Sequence, residues 1–248
     1  MSGHSHYSTI KRQKEANDAV RGQVFSKLSR AISIAVKTGG GSNPDSNYKL
    51  RVAIDKAGAA NMPKVNVERA ISKGTGGGVL EEVTYEGFGP GGIAVMVEVA
   101  TDNRNRSGQE IKNIFEKEGG SLAGPGAVSF NFEPRGFLVV NKDKNTEEQM
   151  LALIDLGVED IEETNDGIEV YVDVHALSQT REKLENKGFK VISTEMVQKP
   201  KNYQSIAEEK KASKVLSFLD NLEKQDDVQK VFANINIPED ILEIIQNE

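Results

Sequence analysis

The apolar pattern of this chain changes character at a glycine run. Up to residue 73 apolar residues recur every three or four positions; from residue 81 alternating stretches enter, with helix-period stretches between them. Between the two stands Gly74-Thr75-Gly76-Gly77-Gly78. A helix-period segment buries a stripe and an alternating segment buries a face, so the two halves must build different layers of structure. The glycines read as a flexible joint and a domain boundary.

Before the joint, Val24, Leu28, Ile32 and Val36 fall within an arc of about 120° on a helix. Lys27, Arg30 and Lys37 fall on the other half, so this helix is expected to offer cations to solvent. Gly39-Gly40-Gly41 with Ser42-Asn43-Pro44 ends it. Tyr48 to Ala60 and Val65 to Lys73 fit two more helices, broken by Asn61-Met62-Pro63.

After the joint, Glu82 to Glu86 and Ile93 to Thr101 read as strands around a turn at Gly87 to Gly92. Ser107 with Glu110 is a capping-box pattern for a helix to Glu118. Val128 to Phe132 reads as a further strand. Gly136 to Asn141, a helix from Thr146, Glu159 to Glu163, Ile168 to Val172, a helix from Ser178 and a strand from Phe189 follow. Asn165-Asp166-Gly167 supplies a hairpin signal. This βαββαβ order is the ferredoxin-like plan. The last part offers a helix from Lys211 to Lys224, a strand at Val228 to Ala233 and a short helix after Pro238. The expected architecture is α+β and multidomain. It has a basic helical domain over 1–78, a middle α+β domain made of 79–133 plus 200–248, and a ferredoxin-like domain over 134–199 inserted into the middle one.

Charge follows the same division. The chain carries a net −7. Residues 1–75 hold thirteen Lys and Arg against five Asp and Glu, a net of +8, and the remainder carries −15. A basic third on an acidic body suits a polyanion-facing module. The same asymmetry also lets the two parts attract each other.

Several chemistries are excluded or weak. There is no cysteine, which removes disulfides, thiol nucleophiles, Fe–S clusters and cysteine-built zinc sites. No apolar run approaches the ~18 residues of a membrane span, and MSGHSHYSTIKRQK lacks the apolar core of a secretory signal. A cytoplasmic protein is the expectation. Gly87-Phe88-Gly89-Pro90-Gly91-Gly92 matches G-x-G-x-x-G, but a strand follows where a dinucleotide site needs a helix. His4, His6 and His175 show no metal-ligand spacing. Adjacent acid pairs such as Glu81-Glu82, Glu162-Glu163 and Asp226-Asp227 look like solvated surface. No catalytic residue, cofactor or metal is expected, and no small-molecule substrate.

Two basic features remain. His4, His6, Tyr7, Lys11, Arg12, Lys14, Arg21, Lys27 and Arg30 gather near the N-terminus, and a tyrosine among cations suits stacking with phosphate contact. Lys37 and Arg51 extend the set. In Thr101-Asp102-Asn103-Arg104-Asn105-Arg106, at the exit of a strand, Arg104 and Arg106 can act as phosphate clamps. The same loop can instead be a turn whose Asp102 and Asn105 bond the backbone.

The sequence resembles the YebC family, bacterial proteins related to the mitochondrial translational activator of cytochrome oxidase. The matching residues include Gly3-His4-Ser5, Lys14, Asp18, Arg21-Gly22, Gly39-Gly40-Gly41, Asn61-Met62-Pro63, Arg69-Ala70-Ile71, Tyr85-Glu86-Gly87, Gly89-Pro90-Gly91-Gly92, Thr101-Asp102-Asn103 and Asn105-Arg106. His6 and Tyr7 stand where the family usually has Lys and Trp. The resemblance implies three domains and a non-catalytic role in gene expression. Bacterial members are described as probable transcriptional regulators that bind DNA. Others act in translation, on the ribosome, where they relieve stalling at proline-rich stretches. A third reading is a protein adaptor acting through its acidic domains.

Overall fold

The computed structural model describes residues 18–76, 80–158, 160–164 and 167–247. Three helices form the first part: α1 (Asp18–Thr38), α2 (Tyr48–Ala59) and α3 (Lys64–Thr75). Ile32, Ala35 and Val36 of α1 pack with Leu50, Ala53 and Ala57 of α2 and with Ala70 of α3. Asn47 ties this unit together. Its side-chain oxygen accepts from the Leu50 N–H and caps α2, while its amide donates to the carbonyls of Ala35 and Gly41 at 2.8 and 2.7 Å.

The expected joint at Gly74 is corrected here. Gly74 and Thr75 are still helical, and Gly74 is packed against α1. A Cβ at Gly74 would lie 2.7 Å from the Ser33 carbonyl oxygen and 2.8 Å from Val36 Cβ. The glycine permits a close helix crossing, where the Ser33 hydroxyl also donates to the Ala70 carbonyl at 2.7 Å. Residues 77–79 of the expected joint lie outside the described residues.

The second part is built on β1 (Glu81–Phe88) and β2 (Ala94–Thr101), an antiparallel hairpin closed by a 3-10 turn at Pro90–Gly92. α4 (Arg104–Lys117) and β3 (Ser121–Ala123) follow. From the far end of the chain come α7 (Glu209–Lys224) and β9 (Val228–Ala233). The sheet order is β3-β1-β2-β9. Val95, Val97 and Val99 of β2 face Ile111 and Phe115 of α4 and Phe218, Leu219 and Leu222 of α7. The rings of Phe115 and Phe218 meet edge to face at 5.0 Å.

Two local expectations fail in this part. α4 starts at Arg104, capped by Asn103, whose side chain accepts from the Arg106 N–H. Ser107 is therefore inside the helix, not its cap. The strand expected at Val128 to Phe132 is also absent, and 121–123 pairs with β1 in its place. Its backbone donors are already taken: the N–H groups of Gly126, Val128 and Ser129 all donate to the buried Glu86 carboxylate, at 2.8–2.9 Å. A segment whose amides point at a side chain cannot form a ladder.

The third part runs β4 (Phe132–Val140), α5 (Thr146–Asp155), β5 (Asp160–Thr164), β6 (Gly167–Val172), α6 (Leu177–Asn186) and β7 (Val191–Pro200). Its strands are antiparallel in the order β5-β6-β4-β7. That is the ferredoxin-like arrangement expected from the order of elements. β8 (Gln204–Ser205) pairs in parallel with β10 (Ile235–Asn236), and α8 (Glu239–Asn247) closes the chain. Among the described residues no helix is long and apolar enough to cross a membrane.

The glycine-rich turn also has a structural explanation. The Gly89 N–H donates to the Ile93 carbonyl and the Gly92 N–H to the Gly89 carbonyl, at 2.9 and 3.0 Å. A strand follows, and a Cβ at Gly87 or Gly89 would strike Phe115 or Phe218 at 2.6 Å. These glycines admit two phenylalanines rather than a pyrophosphate.

Candidate nucleic-acid interface

Much of the basic cluster read from the sequence falls outside what can be described. His4, His6, Tyr7, Lys11, Arg12 and Lys14 lie outside the described residues, as does the Arg21 side chain. The remaining members do not form one solvent-facing surface.

Lys27 and Arg30 were expected to point to solvent, and this is corrected, whereas Lys37 is exposed as expected. Lys27 Nζ donates to the carbonyls of Glu223 and Val228, and Arg30 Nη1 to that of Asp226. These acceptors cluster around the C-terminal end of α7, where the aligned peptide dipoles leave negative charge. Arg30 Nη2 also pairs with Asp227 at 3.2 Å. Lys37, though exposed, donates to the Leu80 carbonyl at 2.9 Å. The cationic face of α1 is thus a docking face for the acidic body. Arg51 braces its own loop, donating to the carbonyls of Pro44 and Asp45.

Asp227 is the centre of this docking. Its side chain is 3% exposed. It accepts from Ser107 Oγ at 2.6 Å, Arg106 Nη2 at 2.8 Å, Arg30 Nη2 at 3.2 Å and Thr101 Oγ1 at 3.2 Å. Burial alone would raise its pKa. The Ser107 and Arg106 hydrogen bonds and the Arg30 charge outweigh that and hold it below the usual carboxylate range. The Asp226-Asp227 pair was read as solvated surface, and for Asp227 that is wrong. Its partners lie more than a hundred residues away in sequence, so no local pattern announces it.

The loop at Thr101 to Arg106 therefore divides. Arg106 is held between Asp102 at 2.9 Å and Asp227 at 2.8 Å, which also strengthens its hold on its proton. Arg104 is exposed, and its backbone carbonyl accepts from the Tyr85 hydroxyl at 2.9 Å. Among the described residues no carboxylate pairs with Arg104, so its guanidinium stays available.

Sequence reasoning passed over four cations of the helical part. Lys49, Lys64, Arg69 and Lys73 are exposed, and among the described residues none of them forms an ion pair. Arg69 and Lys73 stand one turn apart on α3 beside α1. Lys56 differs, since it pairs with Glu195 of β7 at 2.8 Å, and Arg181 of α6 pairs with Asp55 of α2 at 3.0 Å. Among the described residues no group of three His, Asp or Glu could hold a metal ion.

Two family models together match nearly the whole chain. Residues 5–77 match the TACO1/YebC protein N-terminal domain, and residues 80–235 match the TACO1/YebC second and third domain. The chain belongs to the TACO1/YebC family. A relative from Dictyoglomus turgidum is 46% identical, covering 98% of this chain and 99% of its own, and is described as a probable transcriptional regulatory protein. One from Lactiplantibacillus plantarum, 43% identical over 96% of this chain and 100% of its own, has the same description. The crystal structure of a conserved hypothetical protein from Aquifex aeolicus is similar at a TM-score of 0.87 and 43% identity, covering 96% of this chain and 99% of that one. Of the motifs carrying the YebC resemblance, Tyr85-Glu86-Gly87 and Thr101 to Arg106 build the fold: one supplies the Glu86 carboxylate, the other the Asp227 clamp.

Proposed function

We propose that this protein is a non-catalytic regulator of gene expression that binds nucleic acid through its basic helical part. The observation that carries the reading is the charge left over after docking. Lys27, Arg30 and Lys37 are engaged by the body, yet Lys49, Lys64, Arg69 and Lys73 still face solvent. They belong to the same segment as Lys11, Arg12 and Lys14. Cations exposed on one module attract phosphate with release of counterions. Family members described as probable transcriptional regulatory proteins support the same reading.

The target is DNA in this proposal, and ribosomal RNA is the competing target, since both are polyanions. Co-sedimentation with ribosomes should be measured beside binding to promoter DNA at matched salt. DNA binding that weakens steeply with salt, without ribosome association, supports transcriptional regulation. Ribosome association alone replaces it with action in translation. Binding to neither, with capture of a protein through the acidic domains, replaces both.

A further inference from the structure

Between α1 and α3 lies a cleft of about 390 Å³, within the roughly 300–1,000 Å³ range of ligand-sized sites. Two helical rows face each other across it. Ser26, Ser29 and Ser33 stand on α1 at spacings of three and four. Asn66, Arg69 and Lys73 stand on α3 at the same spacings. Arg30 adds a third cation and Phe25 an aromatic edge, and none of the residues lining the cleft is acidic. Arg30 is held in place by Asp227 at 3.2 Å, so its guanidinium is oriented before any ligand arrives. Arg69 and Lys73 have no carboxylate to neutralise them among the described residues.

We propose that this cleft is a phosphodiester site that seats one unstacked nucleotide of a single-stranded nucleic acid. This rests on the nucleic-acid reading above, though not on its duplex promoter target, and narrows it to a place and a single-stranded ligand. The cations suit the phosphate, the Ser26 and Ser29 hydroxyls and Asn66 suit sugar and base edges, and Phe25 offers a stacking or edge contact. A stacked duplex presents a convex backbone and cannot insert a base between two helices.

The test uses the full chain with a labelled single-stranded RNA, a single-stranded DNA of the same sequence, and the DNA duplex. Arg69→Ala with Lys73→Ala is compared with Lys183→Ala with Lys187→Ala, which removes the same charge from exposed positions of the ferredoxin-like part, away from the cleft. The cleft pair should lower single-strand affinity by about 10-fold or more. Its salt slope should fall by about 1.4, since each single-strand phosphate contact contributes about 0.7. The outside pair should change affinity far less. Ser29→Met, which fills the cleft without changing charge, should weaken binding with the slope kept. Melting of each variant shows that it is folded. Equal losses for the two double variants overturn the cleft site and leave general nucleic-acid binding intact. Unchanged affinity for the cleft pair overturns it likewise, as does duplex binding that is the tightest and insensitive to these changes. A wild-type protein that binds none of the three probes overturns the broader reading and the cleft with it.

Discussion

Two buried carboxylates do more for this structure than any cation chosen from the sequence. Asp227 gathers Arg30, Arg106, Ser107 and Thr101, and Glu86 takes three backbone N–H groups. Burial opposes ionisation at both, and hydrogen bonds overcome it, so both are held below the usual carboxylate range. The folded state thus binds fewer protons than the unfolded one. The stability they supply is complete above the ordinary carboxylate pKa and is lost as pH falls through the lowered values. The melting temperature should be nearly flat from pH 7 to about 5 and drop below about pH 4; Asp227→Asn with Glu86→Gln should flatten that drop in a pH series of melts. Asp227→Ala should lower stability by about 1–3 kcal/mol, because it leaves the buried hydroxyls of Ser107 and Thr101 without their acceptor. For Arg106, one nitrogen makes both side-chain contacts. Arg106→Lys should therefore melt above Arg106→Ala, and nucleic-acid affinity should be the same for both. Lost affinity at unchanged melting would restore the clamp role that the sequence allowed.

At the level of elements, periodicity located the helices well and misjudged what holds them. The second and third helices, and the end of the first, lie within two residues of where apolar spacing and Gly and Pro breaks put them. The glycines were ambiguous, because a glycine spaces a joint and a close contact with the same letter. Gly58 and Gly74 separate the two uses. A Cβ at Gly58 meets nothing within 4 Å, while one at Gly74 strikes α1. Gly58→Ala should stabilise by about 0.5–1 kcal/mol, from helix propensity and a less flexible unfolded chain. Gly74→Ala should destabilise by about 1–3 kcal/mol despite the same propensity gain, because the crossing is overpacked. Urea unfolding of both variants checks the opposite signs. The strand expected at Val128 to Phe132 failed for a related reason: alternation marks burial of Val128 and Phe132, but a distant carboxylate had taken the amides.

For the molecule as a whole, the uneven charge serves attraction between parts before it serves a ligand. Lys27 and Arg30 of α1 hold the end of α7, and Lys56 and Lys230 converge on Glu195 at 2.8 and 3.5 Å, joining all three parts. Lys27→Ala with Arg30→Ala should thus loosen the helical part from the body. Solution scattering should show a larger radius of gyration, and proteolysis near residues 76–80 should speed up. A scattering curve and cleavage rate identical to wild type would show that apolar contacts alone fix the docking. Added salt should act in the same direction as the double variant, more weakly, because partly buried pairs are only partly screened.

The sequence alone determined the helix-then-strand division, the ferredoxin-like order of elements and the family, because these rest on local period, turn residues and motif spacing. It also determined that the first third is basic. Only the tertiary structure decided which cations remain open. Arg30 and Arg69 both line the cleft, but Asp227 pairs with Arg30 across the domain contact, while among the described residues no carboxylate pairs with Arg69. Which acceptor a side chain meets depends on contacts between segments up to 201 residues apart, and neither period nor composition encodes such a pairing.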